Sequence, residues 1–416
     1  MNSIYFAAHP IEPINSGARL RNFMLAQQLS ALSSVTFVEM RPAGEERHVP
    51  SDNSGLAGVV TLDKGRTYTA SKLVRGLAGP TPVTVLNCWS PRSAAHLADV
   101  LRSRRFDSVQ IAGTQLMAYL SVFQESPGSP PFVVDWHNVE SELLWRYAAT
   151  SSNWIKQAAA RRTAKLLERA EVGLLETCRT HTVTSERERQ NLLARCPGAN
   201  IHVIPNGVDT GYYSAAKIAK SCRPPAQCDP RRTILFVGSM DYHANIDAVM
   251  WFARTAWPEI ARHHPDLQFT IVGRDPAAEV CALASDRIRV TGTVDDVRAF
   301  YASAVAAVVP IRSCSGTRLK ILEAMAAGVP VISSRLGAEG IDAEENVHLL
   351  LADNGREFAS AVDRVVSSAE TRIRLSQAAR EMVCRVYDWS VIGKKLCGIH
   401  ADLAESRSPH SLRKVS

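Results

Sequence analysis

Residues 305–333 read VAAVVPIRSCSGTRLKILEAMAAGVPVIS. VAAVVP is a short β-branched run, apolar on both faces, as in a strand buried within a parallel sheet. RLKILEAMAAG has helical periodicity and stops at Gly328, and VPVIS resumes the strand pattern. Strand, helix and strand within so short a span make a βαβ unit, because parallel neighbours need a crossover connection.

The same alternation runs the length of the chain. Strand candidates are SIYFAA (3–8), VTFVEM (35–40), GVVTLD (58–63), PVTVLN (82–87), SVQIAG (108–113), FVVDWH (132–137), HTVTS (181–185) and IHVIPN (201–206). A second series holds TILFVGS (233–239), QFTIVG (268–273), IRVTG (288–292), VAAVVP, VPVIS and VHLLLA (347–352). Helical patterns such as RLRNFMLAQQLSAL, IDAVMWFARTAWPEI and FASAVDRVVSSA lie between them, which predicts α/β, doubly wound parallel sheets. Residues 214–232, SAAKIAKSCRPPAQCDPRR, lack apolar periodicity and separate the two series. The expected organisation is one domain over 1–210, a linker over 211–230 and a second domain over 231–386. The tail after 405 reads as frayed.

A chain of 416 residues exceeds one typical core. Its 46% hydrophobic and 21% charged residues are globular, and a net charge of +7 favours anionic ligands or surfaces. Nine cysteines show no zinc spacing, and no metal site is expected. They read as reduced, buried thiols. No apolar run reaches the roughly 18–20 residues of a membrane span. Pro10, Glu12 and Pro13 interrupt any secretory signal, so the expected location is cytoplasmic, at most at the inner face of the membrane.

Ligands of open parallel sheets bind beyond the carboxyl ends of the strands. FVGSMDYHAN (236–245) and IVGRDP (271–276) each follow a strand with one glycine, read here as a tight-turn residue. Neither matches the dinucleotide fingerprint, and no P-loop occurs. PINSGARLRN (13–22) opens a helix where Gly17 lets backbone approach an anion, with Arg19 and Arg21 as solvated helix charges. FVVDWHNVES (132–141) places His137 at a strand end, able to donate to a phosphate or sugar hydroxyl or to act in acid–base chemistry. VIPNGVD (203–209) is by itself a good turn. At the mouth of the 319–328 helix, Gly316 and Thr317 offer free N–H donors, and Arg318 and Lys320 add the charge a diphosphate needs. Glu323, about one turn further on, suits a pair of vicinal hydroxyls such as those of a ribose.

With GAEG (337–340), TGTVDDV (291–297), VIPNGVD, IVGRDP and DWHNVES, the SGTRLKILEAMAAGVPVISS block resembles family-4 glycosyltransferases of the GT-B fold, above all bacterial exopolysaccharide sugar transferases. The resemblance covers nearly the whole chain. It implies two facing Rossmann-like domains with an interdomain cleft, and a last helix, here 387–405, returning to the N-terminal domain. It further implies a UDP- or GDP-sugar donor as substrate, no cofactor and no metal, retention at the anomeric carbon, and a glycan or lipid-diphosphate-linked acceptor. By resemblance, Glu323 takes the ribose; Gly316, Thr317, Arg318 and Lys320 take the diphosphate. Arg274 and Val294 lie near the base, Gly17 in the loop over the donor, and His137 at the donor sugar.

Two positions depart from the family. Ser315 stands where it usually keeps a first glutamate beside the sugar, and a hydroxyl without an adjacent base is a poor nucleophile. Ser239 and Ala244 replace the arginine and lysine usual after the first strand of the C-terminal domain, a loss that Arg318 and Lys320 could offset. Two rival readings remain: a nucleotide-sugar epimerase of the same fold, and a nucleotide-sugar-binding protein without catalysis.

The helix over 156–175 carries Arg161, Arg162, Lys165 and Arg169 in one quadrant, with Ala159, Thr163, Leu166, Leu167, Ala170 and Leu174 opposite. This basic face (156–169) is expected to meet either solvent or an anionic membrane. It has no interleaved aromatics, so nucleic acid is not expected.

Overall fold

The structure is a computed structural model and describes residues 1–14, 16–42, 55–126, 128–150, 153–214, 217, 232–313 and 318–406. The chain forms two compact units, one comprising Met1–Pro205 with the residues from Ile392 onward, the other Asn206–Val391. Of the 214–232 stretch, only Ser214, Lys217 and Arg232 are among the described residues.

The first unit is built on seven strands: β1 (Asn2–Ala7), β2 (Ser34–Arg41), β3 (Gly58–Asp63), β4 (Ser108–Ala112), β5 (Phe132–Trp136), β6 (Thr180–Val183) and β7 (Ile201–Val203). They lie in the order β3-β2-β1-β4-β5-β6-β7, every pair parallel. β1 and β4 are buried at nearly every position, which explains why neither alternates apolar with polar. Serine, threonine and asparagine caps start the helices between strands: Ser16, Thr69, Ser90, Asn153 and Ser185 each accept a backbone N–H of the first turn.

The PVTVLN run is not a strand. Val83–Cys88 is a short helix with Pro82 at its N-cap, and Val85, Leu86, Asn87 and Cys88 are buried. Its β-branched residues favour a strand locally, but a short apolar run also fits a buried helix, and tertiary packing decides. The backbone carbonyl of Cys88 accepts from the Tyr119 hydroxyl at 2.9 Å, holding the helix to the layer beneath β4.

The second unit carries β8 (Thr233–Val237), β9 (Gln268–Val272), β10 (Ile288–Val290), β11 (Ala304–Val309), β12 (Val331–Ser333) and β13 (Leu350–Leu351). Their order is β10-β9-β8-β11-β12-β13, again entirely parallel. The helix Leu319–Ala326 ends with Gly328 at φ 76°, and the N–H groups of Gly328 and Val329 return to the carbonyls of Met325 and Ala324. Only glycine takes that conformation without strain, so the stop read from sequence is a left-handed C-terminal cap. VIPNGVD becomes more than a turn: Val208 exchanges backbone bonds with Tyr387 and Trp389, and Asp388 accepts from Thr210 N and Oγ1.

The last helix, Trp389–Glu405, belongs to the first unit from Ile392 onward. Fully buried His400 ties it there, its Nδ1 at 2.8 Å from Ser108 Oγ and its Nε2 at 3.0 Å from Gln110 Oε1. Gly393 lies so close to Gln28 that a Cβ would meet its side chain at 2.4 Å. Of the described cysteines, all free, only Cys88 and Cys178 are buried; Cys281 is exposed and the other three are half-buried, so burial is not their general state.

Burial lowers the His400 pKa from 6.5 to about 4. The folded state thus resists a proton that the unfolded chain accepts, and stability is complete above about pH 6.5 and lost as pH falls toward 4. We expect His400→Gln to flatten this acid limb in a urea-melt pH series. His400→Ala should cost about 2–4 kcal/mol at neutral pH through two lost hydrogen bonds and a cavity.

Candidate functional site

Each sheet reverses its winding once, between β1 and β4 in the first unit and between β8 and β11 in the second. Ligand loops of doubly wound sheets diverge at such points.

In the second unit, the loop after β8 starts at Gly238 and the loop after β9 at Gly273. Neither glycine serves a positive-φ turn. A Cβ on Gly273 would sit 1.7 Å from the Gly238 carbonyl oxygen, and one on Gly238 would sit 2.6 Å from Lys320 Nζ. Both are therefore close-approach residues, which corrects the tight-turn expectation. Into the space above Gly238 comes Lys320: its ammonium donates to Asn245 Oδ1 at 2.7 Å and stands 4.0 Å from the Phe236 ring centroid. Asn245 in turn donates to the Ser239 carbonyl at 2.8 Å. A helix from beyond β11 thus delivers its cation to the loop after β8.

Arg274 arrives at the same loop. Its Nε donates to Ser239 Oγ at 2.8 Å, and Ser239 donates to Asp241 at 2.6 Å. Ala244 is buried, whereas Ser239, in the other position where the resemblance expects a cation, is in contact with one. Arg318 is buried at the N-cap of the Leu319–Ala326 helix. Val294 is half-buried against the core of this unit, past Gly292. Ser315, Gly316 and Thr317 lie outside the described residues.

Glu323 is half-buried and faces two tyrosines: Tyr301 donates to its Oε2 at 3.3 Å, and Tyr213, whose ring packs 5.9 Å from that of Tyr301, also bonds to it. Burial raises its pKa against the opposing pull of Tyr301, Tyr213 and Lys320. It is therefore a carboxylate poised to accept hydroxyls on low-dielectric ground, where hydrogen bonds to charge are strong.

In the first unit, the site centres on a residue pair that sequence reasoning missed. Arg21 is buried, not solvated, and clasps Asp135 at the end of β5 through Nε at 3.0 Å and Nη2 at 2.7 Å. Its remaining donors reach the carbonyls of Ile204 and Pro205 after β7, at 2.8 and 3.0 Å. Thr182 Oγ1 adds a 2.7 Å bond to Asp135. Burial pushes Asp135 up, but the Arg21 charge and the bonds from His137 and Arg21 overcome it, holding the carboxyl well below the usual range. His137 Nε2 stands 3.4 Å from Asp135 Oδ2, so the candidate histidine is oriented by a permanently ionised carboxylate. Arg19 caps its own loop, donating to the Pro13 carbonyl at 3.0 Å, while Gly17 opens the exposed first turn.

A cavity of about 210 Å³ lies at the reversal point of this sheet, lined by His9, Lys64, Asn87, Gln115 and Glu140 among others. His9 is held neutral there, its pKa lowered to about 4 by burial and then by Lys64, Arg19 and His137. Burial and the nearby Glu171 raise the Glu140 pKa. Sequence reasoning did not single out Glu140, and the walls come from the segments after β1, β3, β4 and β5 together with the helix Val83–Cys88.

The architecture agrees with what known proteins show. Residues 17–212 match the model "Glycosyltransferase Family 4", and residues 231–368 match "Glycosyl transferases group 1". The chain belongs to the family-4 glycosyltransferases of the GT-B fold. It is 31% identical to a phosphatidyl-myo-inositol mannosyltransferase of Mycobacterium leprae over 220 residues, 51% of this chain and 56% of that protein. The chain thus spans little more than half the length of the curated relatives it matches. The fold is shared with sucrose-phosphate synthase of Thermosynechococcus elongatus (TM-score 0.74, 19% identity, 97% of this chain and 99% of that one). It is shared as well with Anabaena HepE in complex with UDP-glucose (TM-score 0.64, 13% identity, 97% and 100%). Membership of this family favours the glycosyltransferase reading over the epimerase and pure-binder alternatives.

Removing one partner of the buried pair should show its role. Asp135→Asn leaves Arg21 buried without its counter-charge and is expected to cost about 3–5 kcal/mol in denaturant unfolding. Gly273→Ala should cost at least ~2 kcal/mol, because the clash is with backbone that cannot swing aside.

Proposed function

We propose that this glycosyltransferase transfers a hexosyl group from a nucleoside diphosphate to a glycan or lipid-linked saccharide, with retention, in the synthesis of a cell-surface or extracellular polysaccharide. The observation that carries the reading is the convergence of Lys320, Arg274 and Glu323 at the reversal point of the second sheet, two cations and one pocketed carboxylate. Lys320 suits a diphosphate and Glu323 a ribose, with Arg274 beside them for the base. The UDP-glucose bound in the HepE structure supports a nucleotide sugar as donor, and the mannosyl transfer named for the mycobacterial relative supports a hexosyl group.

In this reading Lys320 and Arg318, with the N–H groups of Gly316 and Thr317, neutralise the diphosphate, so that cationic side chains rather than a metal carry the leaving charge. Arg274 and Val294 flank the base, and Glu323 accepts the two ribose hydroxyls. The glycosidic carbon–oxygen bond to phosphate breaks as the acceptor oxygen bonds to the anomeric carbon on the same face. The acceptor proton passes to the departing phosphate oxygen. Ser315 is given no nucleophilic part. His137, oriented by Asp135, donates to a donor-sugar hydroxyl, and Gly17 lets the loop before its helix approach the ligand.

Arg318→Ala is expected to weaken nucleoside diphosphate binding at least about tenfold by calorimetry, since a charge-assisted contact is lost; unchanged affinity would remove Arg318 from the donor site. A raised Glu323 pKa keeps the protonated form to a higher pH than an ordinary glutamate. Donor affinity, complete when Glu323 is ionised, should then fall as the pH drops toward that raised value. Glu323→Gln should lose the dependence, which separates it from titration of the diphosphate itself. Thermal-shift screening against UDP-, GDP-, ADP- and dTDP-sugars identifies the base, because a ligand of the folded state alone raises the melting temperature. Failure of every sugar nucleotide to do so would overturn the reading.

A further inference from the structure

The first unit carries an apolar surface that its own fold does not use. The helix Ala70–Ala78 (ASKLVRGLA) buries only Gly76, packed where a Cβ would meet Val83 at 2.8 Å. At about 100° per residue, Ala70, Leu73, Leu77 and Val74 occupy one arc of about 100°. That arc is turned outward: Leu73, Val74 and Leu77 are all exposed, Val74 by 64%. Tyr68, just before the helix, is exposed as well. A helix with a strong apolar face normally turns it to the core; this one turns it to the surroundings.

The neighbouring long helix, Trp154–Thr177, continues the surface. Arg162 donates to the backbone carbonyls of Leu77 and Gly79 at 3.3 and 3.4 Å, so the two helices meet at that residue. On the long helix, Trp154, Ile155, Arg161, Arg162, Lys165 and Arg169 fall within one arc of about 120°, with Glu168 at its margin. All six are exposed, Trp154 by 76% and Ile155 by 59%. Thr163, Leu166, Leu167 and Leu174 are buried behind them. Two hollows border the cation row. One of about 580 Å³ has Arg162 and Arg169 above Leu166 and Ala170, and another of about 410 Å³ has Arg161 and Lys165 beside Trp145. Each is a pair of cations over an apolar floor.

We infer that this surface docks on an anionic phospholipid bilayer. Leu73, Val74, Leu77, Trp154 and Ile155 enter the interface, while the four cations take lipid phosphates in the hollows. Charge complementarity selects this occupant: the row presents four cations, and among the residues of the Ala70–Ala78 helix there is no acid. Apolar side chains beside a cationic row are what an interfacial segment needs, since each contribution alone gives weak binding and the two add. The inference extends the sequence expectation for the 156–169 face by adding an insertion element, and it stands independently of the donor chemistry proposed above.

The test uses the full chain with vesicles of phosphatidylcholine containing phosphatidylglycerol, and vesicles of phosphatidylcholine alone. We expect sedimentation with the acidic vesicles only, weakened by salt. Trp154 emission should shift to the blue and be quenched by brominated acyl chains, and Trp154→Phe should abolish most of that quenching. The double variant Val74→Asp/Leu77→Asp should reduce partitioning by tenfold or more. Arg161→Ala/Lys165→Ala/Arg169→Ala should reduce it on the order of a hundredfold, at roughly one kcal/mol per cation. All these positions are exposed, so melting temperatures should stay at the parent value, and sugar-nucleotide thermal shifts should be unchanged. Equal partitioning of the Val74→Asp/Leu77→Asp variant and the parent would overturn insertion by the helix. No vesicle binding, with self-association in sedimentation velocity that the same double variant abolishes, would assign the surface to a second copy of the chain and overturn the lipid reading.

Discussion

The buried ion pair between Arg21 and Asp135 organises the ligand end of the first unit. One guanidinium joins the helix after β1, the end of β5 and the chain leaving β7, and every donor used points at a backbone or carboxylate oxygen. Taking both charges out of water is costly, and the Thr182 hydroxyl adds a further hydrogen bond to the carboxylate, with His137 standing 3.4 Å away. The return is positional. His137 is presented at a strand end beside a carboxylate that stays ionised over any physiological pH, and the loop carrying Gly17 is anchored one turn from its start.

The second unit reaches a comparable result with no fully buried ion pair among its described residues. There, space is the controlling variable. Gly238 and Gly273 let two loops and one ammonium come within distances that a methyl group would forbid. Lys320 then settles on Asn245 and the Phe236 face, and Arg274 on Ser239. The cations usual to the family after β8 are replaced by a serine and a buried alanine, yet positive charge still arrives there, from a helix and a loop elsewhere in the sheet order.

Much of this was legible residue by residue. The apolar runs named strands, Gly328 named a helix stop, and the charges at the mouth of the Leu319–Ala326 helix marked a candidate site. PVTVLN was misread because a short, mostly apolar six-residue run fits a strand and a buried helix equally well, and only the packing around Cys88 decides. Arg21 was misread because an arginine near the start of a helix is usually solvated, and its partner lies 114 positions away. The exposed arc of Leu73, Val74 and Leu77 has the same pattern as a core-facing stripe, so sequence alone does not tell inward from outward.

By itself, then, the amino-acid order determined the alternation of strand and helix, the two series, the boundary signals and the chemistry available in each loop. These depend on local periodicity and on the φ/ψ limits of glycine, proline and the caps. Tertiary structure decided which loops meet. It brought Arg21 to Asp135, Lys320 to Asn245 across 75 positions and His400 to Ser108 across 292, and it turned one amphipathic helix outward. The physical reason is that such contacts are selected by the packing of whole layers and the burial of charge, which no single segment encodes.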